Sequence, residues 1–121
     1  QPVFVSEIDL QTVFSLPAET VVYRTLAKFP AIVRDISFVA KRTITFASIR
    51  DTVIGEHFDI CRNVEFVDVY EGKGLAEDER SITIRFEYRS DERTLIEEEV
   101  ESVHQLILSQ IERKLAIKPR V

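Results

Sequence analysis

The sequence predicts an α+β sandwich in which a four-stranded antiparallel sheet carries two helices on one face. Three observations predict it. Two segments place apolar residues at helical spacing, three segments alternate apolar and polar residues at strand spacing, and a polar loop bearing glycines joins two of those strands. The chain has 121 residues, of which 45% are hydrophobic and 31% charged, so it has the length and composition of one domain with one core.

The first helix is predicted over residues 45–57. Thr45 is a suitable N-cap, Phe46, Ile49, Val53 and Ile54 make an apolar stripe, and Gly55 lies near the end. The second helix has the stronger signal. Thr94 and Glu97 have the spacing of a capping box, and Glu97, Glu98 and Glu99 sit where a helix dipole favours anions. Ile96, Val100, Val103, Ile107, Ile111 and Leu115 then recur every three or four residues, Arg113 and Lys114 fall in the last turn, and Pro119 marks the stop.

Strands are predicted over residues 34–40, 63–70 and 81–88, from their β-branched and aromatic content and their alternation. The polar loop at 71–80 contains Gly72 and Gly74, so the second and third strands form a hairpin. Residues 116–121 supply a short closing strand. The order strand, helix, strand, strand, helix, strand is the split βαβ, ferredoxin-like order. Residues 1–28 stand outside it as an N-terminal extension from a preceding module, with a strand expected over 3–10 and a connector over 17–28. Residues 29–121 form the ferredoxin-like domain.

Composition narrows the function. A single Cys cannot form an internal disulfide, and one Cys with two His is too few for a structural zinc site. No apolar stretch is long enough to span a membrane, and the acidic N-terminus lacks the pattern of a signal peptide. The sequence contains no Met, which reads as a piece of a larger, cytoplasmic protein. With 16 basic against 21 acidic side chains the net charge is −5, so there is no general attraction to nucleic acid and any such role must rest on a local site.

Strand alternation locates such a site. In the third strand Ile82, Ile84, Phe86 and Tyr88 must face the helices, leaving Ser81, Thr83, Arg85 and Glu87 on the open face. In the first strand Ile36 and Phe38 face the helices and Asp35, Ser37 and Val39 face out. In the second, if Val67 and Val69 pack on the helices, then Phe66, Asp68 and Tyr70 look out beside Ser81 and Thr83. Aromatic rings, a carboxylate and hydroxyls on one open sheet surface make a candidate base-binding platform. The same residues also suit simple cross-strand pairing and turn capping.

No catalytic constellation is present in the sequence. Cys61 reads as a partly buried residue at the start of a strand, with no His near it in sequence. His57 and His104 read as surface or packing residues, and the Glu97–Glu99 run as a solvated helix start. Gly72-Lys73-Gly74 lacks phosphate-loop spacing. No metal ligands and no cofactor are expected in this chain.

Four motifs in order carry a resemblance. Phe29-Pro30-Ala31-Ile32-Val33-Arg34-Asp35-Ile36 is similar to a K-F-P-x-x-x-R-D-hydrophobic signature, and Asp68-Val69-Tyr70-Glu71-Gly72-Lys73-Gly74-Leu75 to D-x-Y-x-G-x-G-hydrophobic. Ser81-Ile82 follows as a K/R-S-hydrophobic strand start, and Arg93-Thr94-Leu95-Ile96-Glu97-Glu98-Glu99-Val100 resembles R-T-L-x-x-x-E-V. Over residues 29–120 the chain resembles the ferredoxin-fold anticodon-binding domain that closes the β subunit of bacterial phenylalanyl-tRNA synthetase. Glu7-Ile8-Asp9-Leu10 is similar to the strand that ends the preceding module there.

The resemblance implies a non-catalytic module that holds the anticodon stem-loop of phenylalanine tRNA. It implies that Asp68, Tyr70 and Ser81 read a guanine, with Arg120 a further contact. A carboxylate accepts both N–H donors of guanine's Watson–Crick edge and cannot pair that way with adenine, while a tyrosine ring stacks on a base. Arg85, Lys118, Arg120 and Lys73 are the cations available for phosphates. Pro30, Arg34, Asp35, Gly72 and Thr94 belong to the structural signature, with Arg34 and Asp35 expected in an ion pair or turn anchor. It further implies, as partners, an α subunit and the remaining β-subunit domains of a heterotetramer, with ATP and Mg²⁺ used elsewhere in that enzyme.

Two other readings share the strand–helix order. A small-molecule regulatory domain of the ACT type usually needs a glycine-bearing loop between first strand and first helix, and residues 41–45 have no Gly. An acylphosphatase-like enzyme would need an arginine-bearing phosphate loop there, for which Lys41-Arg42 is a poor substitute.

Overall fold

A computed structural model of the chain describes residues 1–23 and 25–120. The elements run α1 (Leu10–Ser15), β1 (Ile32–Lys41), α2 (Phe46–Gly55), β2 (Cys61–Tyr70), β3 (Glu79–Tyr88), α3 (Glu97–Leu115) and β4 (Lys118–Pro119). The strands form one sheet in the order β2-β3-β1-β4, with each neighbouring pair antiparallel. This is the predicted ferredoxin-like arrangement, and every predicted strand and helix of that unit forms within a few residues of its expected bounds.

The core lies between the sheet and the two long helices. Phe38, Ile82, Ile84, Phe86 and Tyr88 of the sheet meet Ile49 and Val53 of α2 and Val100, Ile107 and Ile111 of α3. Burying these large apolar side chains, at about 1.5–3 kcal/mol each, is what holds the helices on that face. One polar pair lies inside it. The Tyr88 hydroxyl and His104 Nδ1 are 2.6 Å apart, and the imidazole packs edge-on against both Phe86 and Tyr88. Burial holds the His104 pKa below its ordinary value and pushes the Tyr88 hydroxyl up.

The N-terminal 28 residues depart from expectation. No strand forms over residues 3–10; Asp9 instead caps the short helix α1, accepting from the backbone N–H groups of Gln11 and Thr12. Every described residue from 1 to 28 is exposed, including Phe4 at 92%. Alternating apolar residues need a neighbouring strand to become one, and the sheet edges of this unit do not receive them.

The caps of the two long helices also differ from expectation. The capping box is at Thr45 and Ser48 of α2, where each side chain bonds the other residue's backbone N–H. At α3 the N-cap is Ile96, and it has no side-chain cap bond. Glu97 pairs with Arg34 of β1 instead, and Glu99 pairs with Arg93. The two carboxylates thus tie the helix start to the sheet and to its own approach loop, work that a Thr94–Glu97 box could not do. Ala116, in the left-handed conformation at φ 54°, ends α3 and turns the chain into β4.

Candidate nucleic-acid interface

Directly opposed residues of antiparallel strands share a face, so the pairing register maps the open surface. Three of its adjacent rows hold the candidate residues. Tyr70 stands opposite Ser81, Ser81 opposite Val39, and Val39 opposite Lys118. Next to that row, Asp68 stands opposite Thr83 and Thr83 opposite Ser37, and the Arg120 backbone N–H donates to the Ser37 carbonyl at 2.7 Å. Alternation from Lys118 gives Arg120 the open side. In the third row Glu65, Arg85 and Asp35 are in line. The four long-range candidates Asp68, Tyr70, Ser81 and Arg120 are therefore on one face, in two adjacent rows.

Phe66 is not with them. The register shifts between Phe66 and Asp68, so Val67 is an extra residue and the alternation of β2 flips there. Phe66 pairs with Ile84 and packs edge-on against Phe46 of α2, with ring centroids 5.9 Å apart, on the helix side. This corrects the expectation that Phe66, Asp68 and Tyr70 form one outward set. Two consecutive apolar residues, Phe66 and Val67, inside an alternating strand were the visible sign of the bulge.

The bulge also shapes the carboxylate. Asp68 Oδ1 accepts from the Val69 N–H at 2.8 Å, which orients the group and leaves acceptor capacity on both oxygens for a pair of donors. The Tyr70 ring is 45% exposed, and its hydroxyl donates to the Lys73 carbonyl at 3.3 Å across the hairpin loop. Gly72 makes that closure possible. Its φ is +144°, and a Cβ there would stand 3.2 Å from the Tyr70 hydroxyl oxygen. Ser81, between Tyr70 and Val39, is only 3% exposed, so it flanks the platform from below its surface.

The cations divide into engaged and open ones. Arg85 makes a two-pronged pair with Asp35 at 2.8 and 2.7 Å, and Arg85 holds the Asp35 carboxyl below the ordinary carboxylate range. Arg34 and Asp35 therefore each form an ion pair, but on opposite faces and with different partners. Lys118 is 3.6 Å from Glu112. Lys73 and Arg120 enter no ion pair among the described residues.

Other chemistry-bearing residues lie apart from this face. Cys61 is at the start of β2 on the helix side, and burial pushes its thiol pKa up to about 11, which suits an inert packing residue. Among the described residues no group of three or more His, Cys, Asp or Glu is disposed to hold a metal, and no helix is long and apolar enough to cross a membrane.

The geometry agrees with what the chain is similar to. A sequence model of the family described as "Ferredoxin-fold anticodon binding domain" matches residues 27–120. Among curated relatives, the phenylalanine–tRNA ligase beta subunit of Syntrophotalea carbinolica is 31% identical over 120 residues, covering 99% of this chain and 15% of the relative. That of Staphylococcus saprophyticus is 34% identical over 105 residues, with 87% and 13% covered. That of Bacillus subtilis is 30% identical over 109 residues, with 90% and 14% covered. The chain thus spans about one seventh of the length of these relatives. With the sheet order, the uncovered face and the match agreeing over most of its length, the chain belongs to the ferredoxin-fold anticodon-binding domain family.

Proposed function

We propose that this chain is the module of a phenylalanine–tRNA ligase β subunit that holds the anticodon stem-loop of phenylalanine tRNA. The observation that carries the proposal is that Asp68 and Tyr70, two residues apart on β2, stand on the same uncovered face of the sheet. In this reading the Tyr70 ring stacks on the first anticodon base, worth roughly 1–3 kcal/mol. The Asp68 carboxylate accepts the N1 and N2 protons of that guanine, and an adenine at the same place would leave it unpaired. An acidic group is unfavourable beside phosphates, so Asp68 is better suited to a base edge than to the RNA backbone.

Ser81, opposite Tyr70 and almost fully buried, would offer its hydroxyl to the base from beneath the platform. Arg120 and Lys118 lie on the same face at the β4 edge and Lys73 in the hairpin, where they would meet phosphates; Arg85 has its charge matched by Asp35. The module has no part in bond making. ATP and Mg²⁺ chemistry belongs to the remainder of the ligase, and the other subunit and β-subunit domains are its assembly partners. Residues 1–28 join it to the preceding part of that chain, and the cytoplasm is its compartment. Net charge −5 makes affinity of the isolated module low, with the remaining modules adding to it through linkage.

A chemical-shift titration of this chain with a phenylalanine anticodon stem-loop tests the reading. Shifts should centre on Asp68 and Tyr70, and a stem-loop with adenine at the first anticodon position should bind more weakly. Equal binding of the two would end guanine readout. In the full ligase, Asp68→Ala should slow tRNA charging while leaving phenylalanyl-adenylate formation intact.

A further inference from the structure

Between the base-reading carboxylate and the open arginine lies a polar pair that the motifs do not contain. Ser37 Oγ and Thr83 Oγ1 are 2.8 Å apart, on the central strands β1 and β3, and both residues are only partly buried. They occupy the middle of the row that begins at Asp68 and continues to Arg120. Strands about 4.8 Å apart put Thr83 about 5 Å, Ser37 about 10 Å and Arg120 about 14 Å from Asp68 along that row.

The hydrogen count of this pair is informative. Whichever hydroxyl donates to the other, the acceptor keeps its own hydrogen to donate outward, and the donor keeps lone pairs to accept. The pair therefore retains one donor and one acceptor side by side on the open face. A ribose 2′-hydroxyl has the same two capacities, and the 2′ carbon of deoxyribose has neither. Neither oxygen needs to break its bond to its neighbour to engage such a group.

We infer that Ser37 and Thr83 form a ribose-reading subsite, which binds the 2′-hydroxyl of a nucleotide next to the base held at Asp68. This inference rests on the proposed anticodon reading for the position of the RNA. It adds a discrimination that reading does not include: RNA against DNA at one nucleotide. The strand then runs across the sheet along the row, from the guanine at Asp68, over the hydroxyl pair, towards Arg120.

The test uses this 121-residue chain and four stem-loops: the phenylalanine anticodon sequence, the same with adenine at the first anticodon position, and two versions with a single 2′-deoxy substitution, at the first anticodon nucleotide or at its 3′ neighbour. Binding is followed by chemical-shift titration. One deoxy substitution should weaken binding to the wild type by roughly three- to tenfold, the weight of one net hydrogen bond. The double variant Ser37→Ala/Thr83→Val should bind the unmodified stem-loop more weakly by a similar factor and lose its response to that deoxy substitution. Thr83→Ser, which keeps the hydroxyl, should retain it. An unperturbed spectrum of the free variant away from β1 and β3 shows that the fold is intact.

Wild-type indifference to both deoxy substitutions overturns the subsite, as does a double variant that responds to them as the wild type does. Failure of the anticodon reading looks different: guanine and adenine stem-loops bind alike while the deoxy response persists and follows the hydroxyl pair. Absence of any binding by the wild type overturns both.

Discussion

The two faces of the sheet use the same strands for opposite purposes. On the helix side, β3 presents Ile82, Ile84, Phe86 and Tyr88, all buried, and the buried hydrogen-bonding pair among them, Tyr88 with His104, is turned inward. On the open side the intervening residues Ser81, Thr83 and Arg85 stand among Asp68, Ser37 and Asp35, and several keep hydrogen-bonding capacity directed at solvent. The difference separates the packed face, which carries stability, from the face proposed for recognition. Removing contacts on the first face should unfold the chain, while substitutions on the second should alter what it binds and little else.

The largest effect should come from Ile107→Ala, which opens a cavity where α3 meets the sheet. A loss of about 2–5 kcal/mol in chemical denaturation is expected. A comparable loss from Thr83→Val would break the contrast between the faces. Tyr88→Phe ranks next. It leaves His104 Nδ1 buried without its partner, and a loss of about 1–3 kcal/mol is expected.

The same pair sets an acid limit. His104 is held below its ordinary pKa of 6.5 chiefly by burial, and Glu101 opposes that shift while Arg34 adds to it. The folded state therefore binds the proton less readily than the unfolded chain. Its contribution to stability is present above pH 6.5 and is lost as the pH falls below that value. Denaturation midpoints measured from pH 7.5 to 5 should decline, and His104→Gln should flatten the decline. A slope unchanged in that variant would move the cause to other groups.

On the open face the effects should be smaller in stability and larger in binding. Gly72→Ala forces a side chain into φ +144° and against the Tyr70 hydroxyl, so a cost of about 1 kcal/mol or more is expected, together with weaker stem-loop binding. The smallest stability change is expected for Asp35→Asn, because its pair with Arg85 is exposed. That variant sharpens the comparison in another way. It releases the Arg85 charge onto the face proposed to meet RNA, so RNA binding should become steeper in its dependence on salt.

How much of this was legible in the sequence differs between elements. The apolar period of α3 and the alternation of β3 are local and strong, so both were readable, and the side of the sheet on which Asp68, Tyr70, Thr83 and Ser37 stand followed from parity. What escaped depends on contacts between distant segments. Glu97 could join a capping box with Thr94 or pair with Arg34, 63 residues away, and the structure takes the distant partner. Phe66 was misplaced because a single extra residue at Val67 inverts everything before it relative to everything after it. The near-complete burial of Ser81 and the bond between Ser37 and Thr83 arise from neighbours on strands far apart in sequence, which no local pattern contains.

The outermost strand β2 carries register irregularities at two places, between Cys61 and Asn63 and between Phe66 and Asp68. A molecule that leaves one broad sheet surface bare also leaves a margin of unpaired amides at its side, open to any other extended chain. Irregular spacing along that margin spoils the match a straight intruding strand would need. The inserted Val67 therefore has two effects: it aims Asp68 outward, and it spoils the edge for lateral self-association that would crowd the proposed docking surface.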